Sequence, residues 1–255
     1  MDDNEAKYTV EVLTDIKKKH ENAVKDALSA PDKAKQRSIE LYADLLDHWE
    51  KAAQIEHWSG WTSYMLGSGR PRMRKEVAAQ LEDLQAWLFN RIWPDHFPEI
   101  RHAMENFRLV LGDLMLVFNE HSEETQDLLI TRKFYRDAEP GSTEEKRAVE
   151  QFEFHVALVN DLMLELNRAA NFVCDAFRQS LDPSYRLKEG VLTVASGPYM
   201  NMSFIQHRVA YHGSERTATP FPYPRLDMFK VIRKDRDHHF GVGISIDDPC
   251  FRAGG

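Results

Sequence analysis

Residues Thr143 to Leu181 read TEEKRAVEQFEFHVALVNDLMLELNRAANFVCDAFRQSL. Phe152, Val156, Val159, Met163, Leu166, Ala170, Val173 and Phe177 recur in steps of three and four, which is one face of a helix. Phe154, Leu158, Leu162 and Leu164 fall outside that stripe, so the helix is expected to be covered on more than one side. At ~1.5 Å per residue it runs to more than about 50 Å. Ser142 followed by Glu145 fits a capping box at its start. Other helices are expected to pack on this mast.

Upstream, the same periodicity marks further helices. Residues 5–29 place Tyr8, Val12, Ile16 and Val24 along one side, and Lys17-Lys18-Lys19 reads as a solvated face. After Pro31, a second helix carries Ile39, Tyr42, Leu46, Trp49 and Ala53. Trp49, Trp58 and Trp61 then form a core or interface anchor. Trp58, Trp61 and Met65 continue the second helix's apolar character past Gly60, Gly67-Ser68-Gly69 closes that helix, and Arg70-Pro71 is read as opening the next, striped by Val77, Leu81, Leu84 and Leu88. A turn rich in proline, Trp93 to Pro98, precedes a fourth helix over about 99–121, whose centre is apolar nearly all round. Residues 122–142 are polar, with room for a short helix.

The period changes after Pro183. Val191–Val194 and Met200–Tyr211 read as strands, and Met228–Ile232 with His238–Ile246 read as a hairpin turning at Lys234–Asp237. Gly241 and Gly243 share one face of the last strand, which suggests close packing against another backbone, such as the mast helix. The expected fold is mainly α (α+β). A bundle of about five helices (1–183) is followed by a small C-terminal antiparallel β-sheet packed on it (184–255).

Composition excludes several classes. Net charge is −8, divided as −11 over residues 1–183 and +3 over 184–255. That leaves no clear basic surface for general nucleic-acid binding. No apolar run is long enough to span a bilayer, and the acidic start Met1–Glu5 is unlike a secretory signal. Two cysteines, Cys174 and Cys250, give no disulfide framework, so the chain is expected to be cytoplasmic.

The chemistry-bearing residues are sparse. Arg70, Arg72, Arg74 and Lys75 crowd a predicted helix start and read either as a solvated turn or as an anion contact. Asp113 and Asp161 sit inside apolar runs, in a repeated Asp-Leu-Met-Leu with Asn three residues on (Asn119, Asn167). A carboxylate there needs a partner such as Arg, or else lines a polar pocket. Glu99-x-x-His102 lacks the second copy a ferritin-like iron site requires. Asp237-His238-His239 would point to alternate sides of a strand. No phosphate loop, nucleophile elbow or Cys-x-x-Cys pair is present. No metal and no cofactor is expected.

Arg91-x4-His96 and Arg233-x4-His238 resemble the short Arg-x4-6-His signature of the HEPN ribonucleases. The resemblance covers six residues each time and implies a helical dimer that joins two such motifs to cleave RNA, with His in acid–base roles and Arg on the phosphate. The family places the motif on a helix, whereas Pro94 interrupts the first match and the second falls on the predicted hairpin.

No coherent catalytic set emerges. The leading expectation is a non-catalytic interaction or scaffold protein, self-associating through its Trp-rich or long-helix surfaces or binding another protein. The rivals are a divergent HEPN-like ribonuclease and a small-molecule or nucleotide sensor with its site between bundle and sheet.

Overall fold

A computed structural model describes residues 12–22, 30–67 and 69–241. The chain divides into two compact units, Met1–Asp47 and His48–Gly255. The fold is mainly α, with eight helices and two small antiparallel sheets among the described residues. In the first unit, residues 12–22 are helical (α1) and exposed. Helix α2, Ala30–Ala52, begins there and ends in the second unit.

The mast is present as α6, Thr143–Ser180. Half of the expected capping box is present: Ser142 Oγ accepts from Glu145 N–H at 2.9 Å, while the Glu145 carboxylate accepts from Gly141 N–H at 2.6 Å rather than from Ser142 N–H. Every residue from Asp161 to Asn171 is buried, so α6 is covered all round at its middle. Its main packing partner is α5, Pro98–Glu120, and α5 in turn packs on α4, Lys75–Phe89. Helix α3, Trp58–Met65, adds a shorter contact with α6. Trp49, Trp58 and Trp61 are only 0, 2 and 8% exposed. They belong to the core, so the Trp-rich surface expected for self-association does not exist. Trp49 meets Phe107 edge-on at 5.5 Å, and Trp58 donates to Asn167 Oδ1 at 2.7 Å.

The sheets depart from the sequence reading. Pro71 does not open a helix. Arg72–Arg74 is a strand, β1, and α4 starts at Lys75. Its partners lie in the stretch read as polar with a short helix. Ser122–Thr125 (β2) and Leu128–Thr131 (β3) form a hairpin with a two-residue loop, and β3 lies between β2 and β1. Thr131 N–H donates to the Pro71 carbonyl at 2.9 Å. A pairing over more than fifty residues leaves no local signal, and three- and four-residue strands are too short for a clear period.

The C-terminal sheet is smaller than expected and begins later. Val194–Ser196 (β4) pairs antiparallel with Ile205–His207 (β5), so only the centre of the expected long strand is extended. Met228–Ile232 is not a strand but lies in helix α8, Leu226–Ile232, which follows the short helix α7, Gly213–Arg216. A short apolar run fits helix or strand equally, and a helix of about two turns buries Phe229 against Tyr223, ring centroids 5.5 Å apart. The expected turn at 234–237 is a 3-10 turn, Arg233–Asp235, with bends after it. Residues 238–241 are not extended as a strand. The rest of that expected strand, with Gly243 and Cys250, lies outside the described residues. Gly241 packs closely, but against a side chain rather than another backbone: a Cβ there would stand 2.5 Å from Arg233 Cζ.

Buried polar side chains hold the segment after 184 onto α5 and α6. Asn171 clamps Leu192, donating to its carbonyl at 2.9 Å and accepting from its N–H at 2.9 Å, and also donates to the Val209 carbonyl at 3.0 Å. Asn106 on α5 donates to Tyr211 Oη and accepts from Tyr223 N–H. Asp113 accepts from Tyr223 Oη at 2.9 Å and from Arg225 Nε at 3.4 Å. The two Asp-Leu-Met-Leu copies diverge at their asparagines, since Asn119 is exposed and Asn167 is buried.

Candidate functional site

Three places in the second unit concentrate polar chemistry. The first is the face of α6 that carries Asp161, Glu165 and Arg168, spaced by four and three and therefore neighbours on one helix side. Arg233 donates to Asp161 at 2.8 Å and Arg236 donates to Glu165 at 2.8 Å. Arg168 bridges Glu165 and Asp237. Phe240 and Gly241 N–H also donate to Asp161. Burial pushes the Asp161 carboxyl up, against the opposing pull of Arg233 and these two amides. Every charge in this cluster meets an opposite one, so the arrangement locks the chain segment around 233–241 onto α6.

The second is a cavity of about 610 Å³ at the C-terminal end of α5. Glu120 and His121 come from the end of α5 and its cap, and Gln151, Phe154 and His155 from α6. Phe134 comes from a 3-10 turn (Phe134–Asp137), and Asp227 and Lys230 from α8. The His121 ring lies against Phe134 at 4.2 Å and meets the His155 ring edge-on at 4.8 Å. His155 is 5% exposed, and its Nε2 has no hydrogen-bond partner. A buried nitrogen left unsatisfied costs about 1–3 kcal/mol, which asks for an explanation.

Burial, then the charge of His121, pulls the His155 imidazole down to about 4. The native chain binds this proton only near pH 4, while the unfolded chain binds it near 6.5. The contribution to stability is whole above pH 6.5 and is lost as the pH falls through 4, about 3 kcal/mol in all. Glu120 and His121 on one side and Asp227 and Lys230 on the other share the cavity, so a matched variant isolates the effect. Denaturant midpoints of the EDTA-treated protein are expected to fall from pH 6.5 to 4, and His155→Phe is expected to be flatter over that window.

The third is the β4–β5 ribbon. Its tip runs through Tyr199, Met200, Met202, Phe204 and Ile205, exposed by 41, 106, 75, 64 and 50%. Gly197, at φ +123, makes the turn into it, where a Cβ would stand 2.7 Å from the Ser203 carbonyl oxygen. Ser196 Oγ bonds Tyr199 Oη at 2.6 Å and His207 Nε2 at 2.8 Å across the ribbon. Ala195 N–H turns outward to Ser63 Oγ at 2.8 Å. Its cross-strand partner Gln206 is therefore in a non-hydrogen-bonded pair, with its own N–H and C=O facing away from β4.

The residues singled out in the sequence are scattered. Arg70 binds Glu123 at 3.2 Å and the Thr131 carbonyl at 3.0 Å, and Arg72 lies 4.6 Å over the Tyr64 ring. Arg74 lines a separate cavity beside Tyr64 and Glu76, while Lys75 pairs with Glu124 at 2.7 Å. They do not converge on one anion. Arg91 stacks over Trp87 at 4.6 Å, and His96 lies in a turn. Arg233 is committed to Asp161 and His238 is exposed. Neither Arg–His couple stands on a helix. Asp113 and Asp161 are buried and Arg-paired, the plainer of the two sequence readings. The Glu120, His121, His155 grouping was missed because 34 positions separate its two parts, and nothing local says which helix faces which.

Comparison with family models, with characterised proteins and with solved structures returns no match.

Proposed function

We propose that this chain is a non-catalytic, intracellular interaction protein that self-associates, with the β4–β5 ribbon rather than a helical face as its docking element. The observation that carries this reading is the ribbon's exposed apolar tip beside an edge strand. Residues 199–206 contain no charged side chain and no proline, two of the devices by which monomeric proteins protect an edge, though β5 is itself short. Among the described residues β5 has β4 on one side and no strand on the other.

A second copy is the occupant that fits best. Gln206 offers one outward donor and one outward acceptor, and two such residues placed opposite each other on a twofold axis satisfy both. The product is a four-stranded sheet, β4–β5–β5–β4, flanked by Met202 and Phe204 of both chains. Main-chain pairing of this kind is a recurrent mode of β-augmentation.

Sedimentation velocity at micromolar concentration tests the proposal. The wild-type chain is expected at twice its 29.6 kDa mass, and Met202→Glu/Phe204→Glu at a single mass with an unchanged far-ultraviolet spectrum. A wild-type monomer, or a dimer indifferent to both substitutions, contradicts it.

A further inference from the structure

We propose that Glu120, His121 and His155 form a three-ligand site for a divalent transition ion of the zinc class, with the remaining coordination position opening into the α5–α6 cavity. The site is independent of the docking ribbon. One ligand atom from each of the three residues lies within 4.8 Å of the other two. His121 Nε2 and Glu120 Oε1 are 3.9 Å apart. Zinc bonds to nitrogen and carboxylate oxygen are about 2.0–2.2 Å, which puts ligand atoms of a tetrahedral site nearer together than this. The closing movement is available to the ligands at the rim. Glu120 has 65% of its side chain exposed and His121 33%, so both can turn inward without disturbing the core.

His155 is the fixed member. It is buried on α6, and its Nε2 faces neither a donor nor an acceptor. A metal ion satisfies that nitrogen through its lone pair. Two imidazoles and one carboxylate suit borderline ions such as zinc and cobalt better than calcium or magnesium, which prefer an all-oxygen shell. Three protein ligands with an open fourth position is the pattern of sites that bind a further small ligand or water.

The test uses the full chain, stripped with EDTA and dialysed. Zinc is titrated calorimetrically, and cobalt is titrated as a visible-absorption probe of coordination number. The expected result is one ion per chain, with cobalt bands of four-coordinate intensity. Glu120→Gln, His121→Asn and His155→Gln are each expected to weaken binding at least about tenfold, by loss of a bond in a site where even supporting contacts are worth that much. Glu120→Gln changes an exposed side chain, so its loss of affinity cannot come from misfolding. His155→Gln is checked by its thermal transition in EDTA. Absence of zinc binding by the wild-type chain overturns the assignment, as does wild-type affinity in Glu120→Gln and His121→Asn, which would put the ion on other histidines.

Discussion

Asp161→Ala is expected to destabilise the second unit by about 3–5 kcal/mol, the range for breaking a buried ion pair from one side. The substitution strands the Arg233 guanidinium, whose Nε and Nη2 already have no hydrogen-bond partner. It also leaves the Phe240 and Gly241 amides without their acceptor. Arg233→Met is expected to cost less, because Asp161 retains both backbone donors. In the double variant Asp161→Ala/Arg233→Met no charge of the pair is left alone. Its cost is expected to fall short of the sum of the singles by about 1 kcal/mol or more. Urea denaturation of the four proteins gives the cycle. A loss below about 1 kcal/mol for Asp161→Ala, or strict additivity, contradicts the role assigned to this pair.

Asn171→Leu is the second large effect expected, at about 3–5 kcal/mol. Leucine keeps the bulk and suits a helix, so propensity and packing change little. What is lost is hydrogen bonding. The Leu192 N–H, the Leu192 carbonyl and the Val209 carbonyl all bond the one amide. Each buried group left unpaired costs about 1–3 kcal/mol, and Asn167 compensates in part, since it donates to the same two carbonyls. Limited proteolysis should also change, with new cleavage around 186–195 before global unfolding. A variant with wild-type stability and an unchanged cleavage pattern would mean that the segment is held by packing alone.

These two residues differ in how visible they were. Asp161 stands out in the sequence because a carboxylate inside Val-Asn-Asp-Leu-Met-Leu has to be neutralised, and an Arg partner was the expected answer. Asn167 is visible only as the last residue of the repeated Asp-Leu-Met-Leu-x-x-Asn, and Asn171 not at all, because polar residues on a long helix ordinarily read as its wet side. Their partners are backbone groups, which have no signature in sequence. The same reason explains the sheets. The 3.6-residue period gave α4, α5 and α6 to within a few residues because each helix records its own buried face. Strand β1 is a strand only because β3 pairs with it from over fifty positions away. Met228–Ile232 misled because five apolar residues carry too little length to separate a period of two from one of 3.6. The ribbon tip is legible only as the start of an expected strand, Met200–Tyr211, and whether such residues face inward or outward is decided by tertiary packing.

The central claim is that the outer edge of β5 pairs with a second copy. Hydrogen exchange of the Gln206 amide, read as a function of protein concentration, tests it most directly. In the paired state that amide is bonded across the twofold axis, so its exchange should slow as the concentration rises through the dimer's dissociation constant. In Met202→Glu/Phe204→Glu it should stay fast throughout. A Gln206 amide that exchanges equally fast at low and high concentration in the wild-type protein contradicts the account.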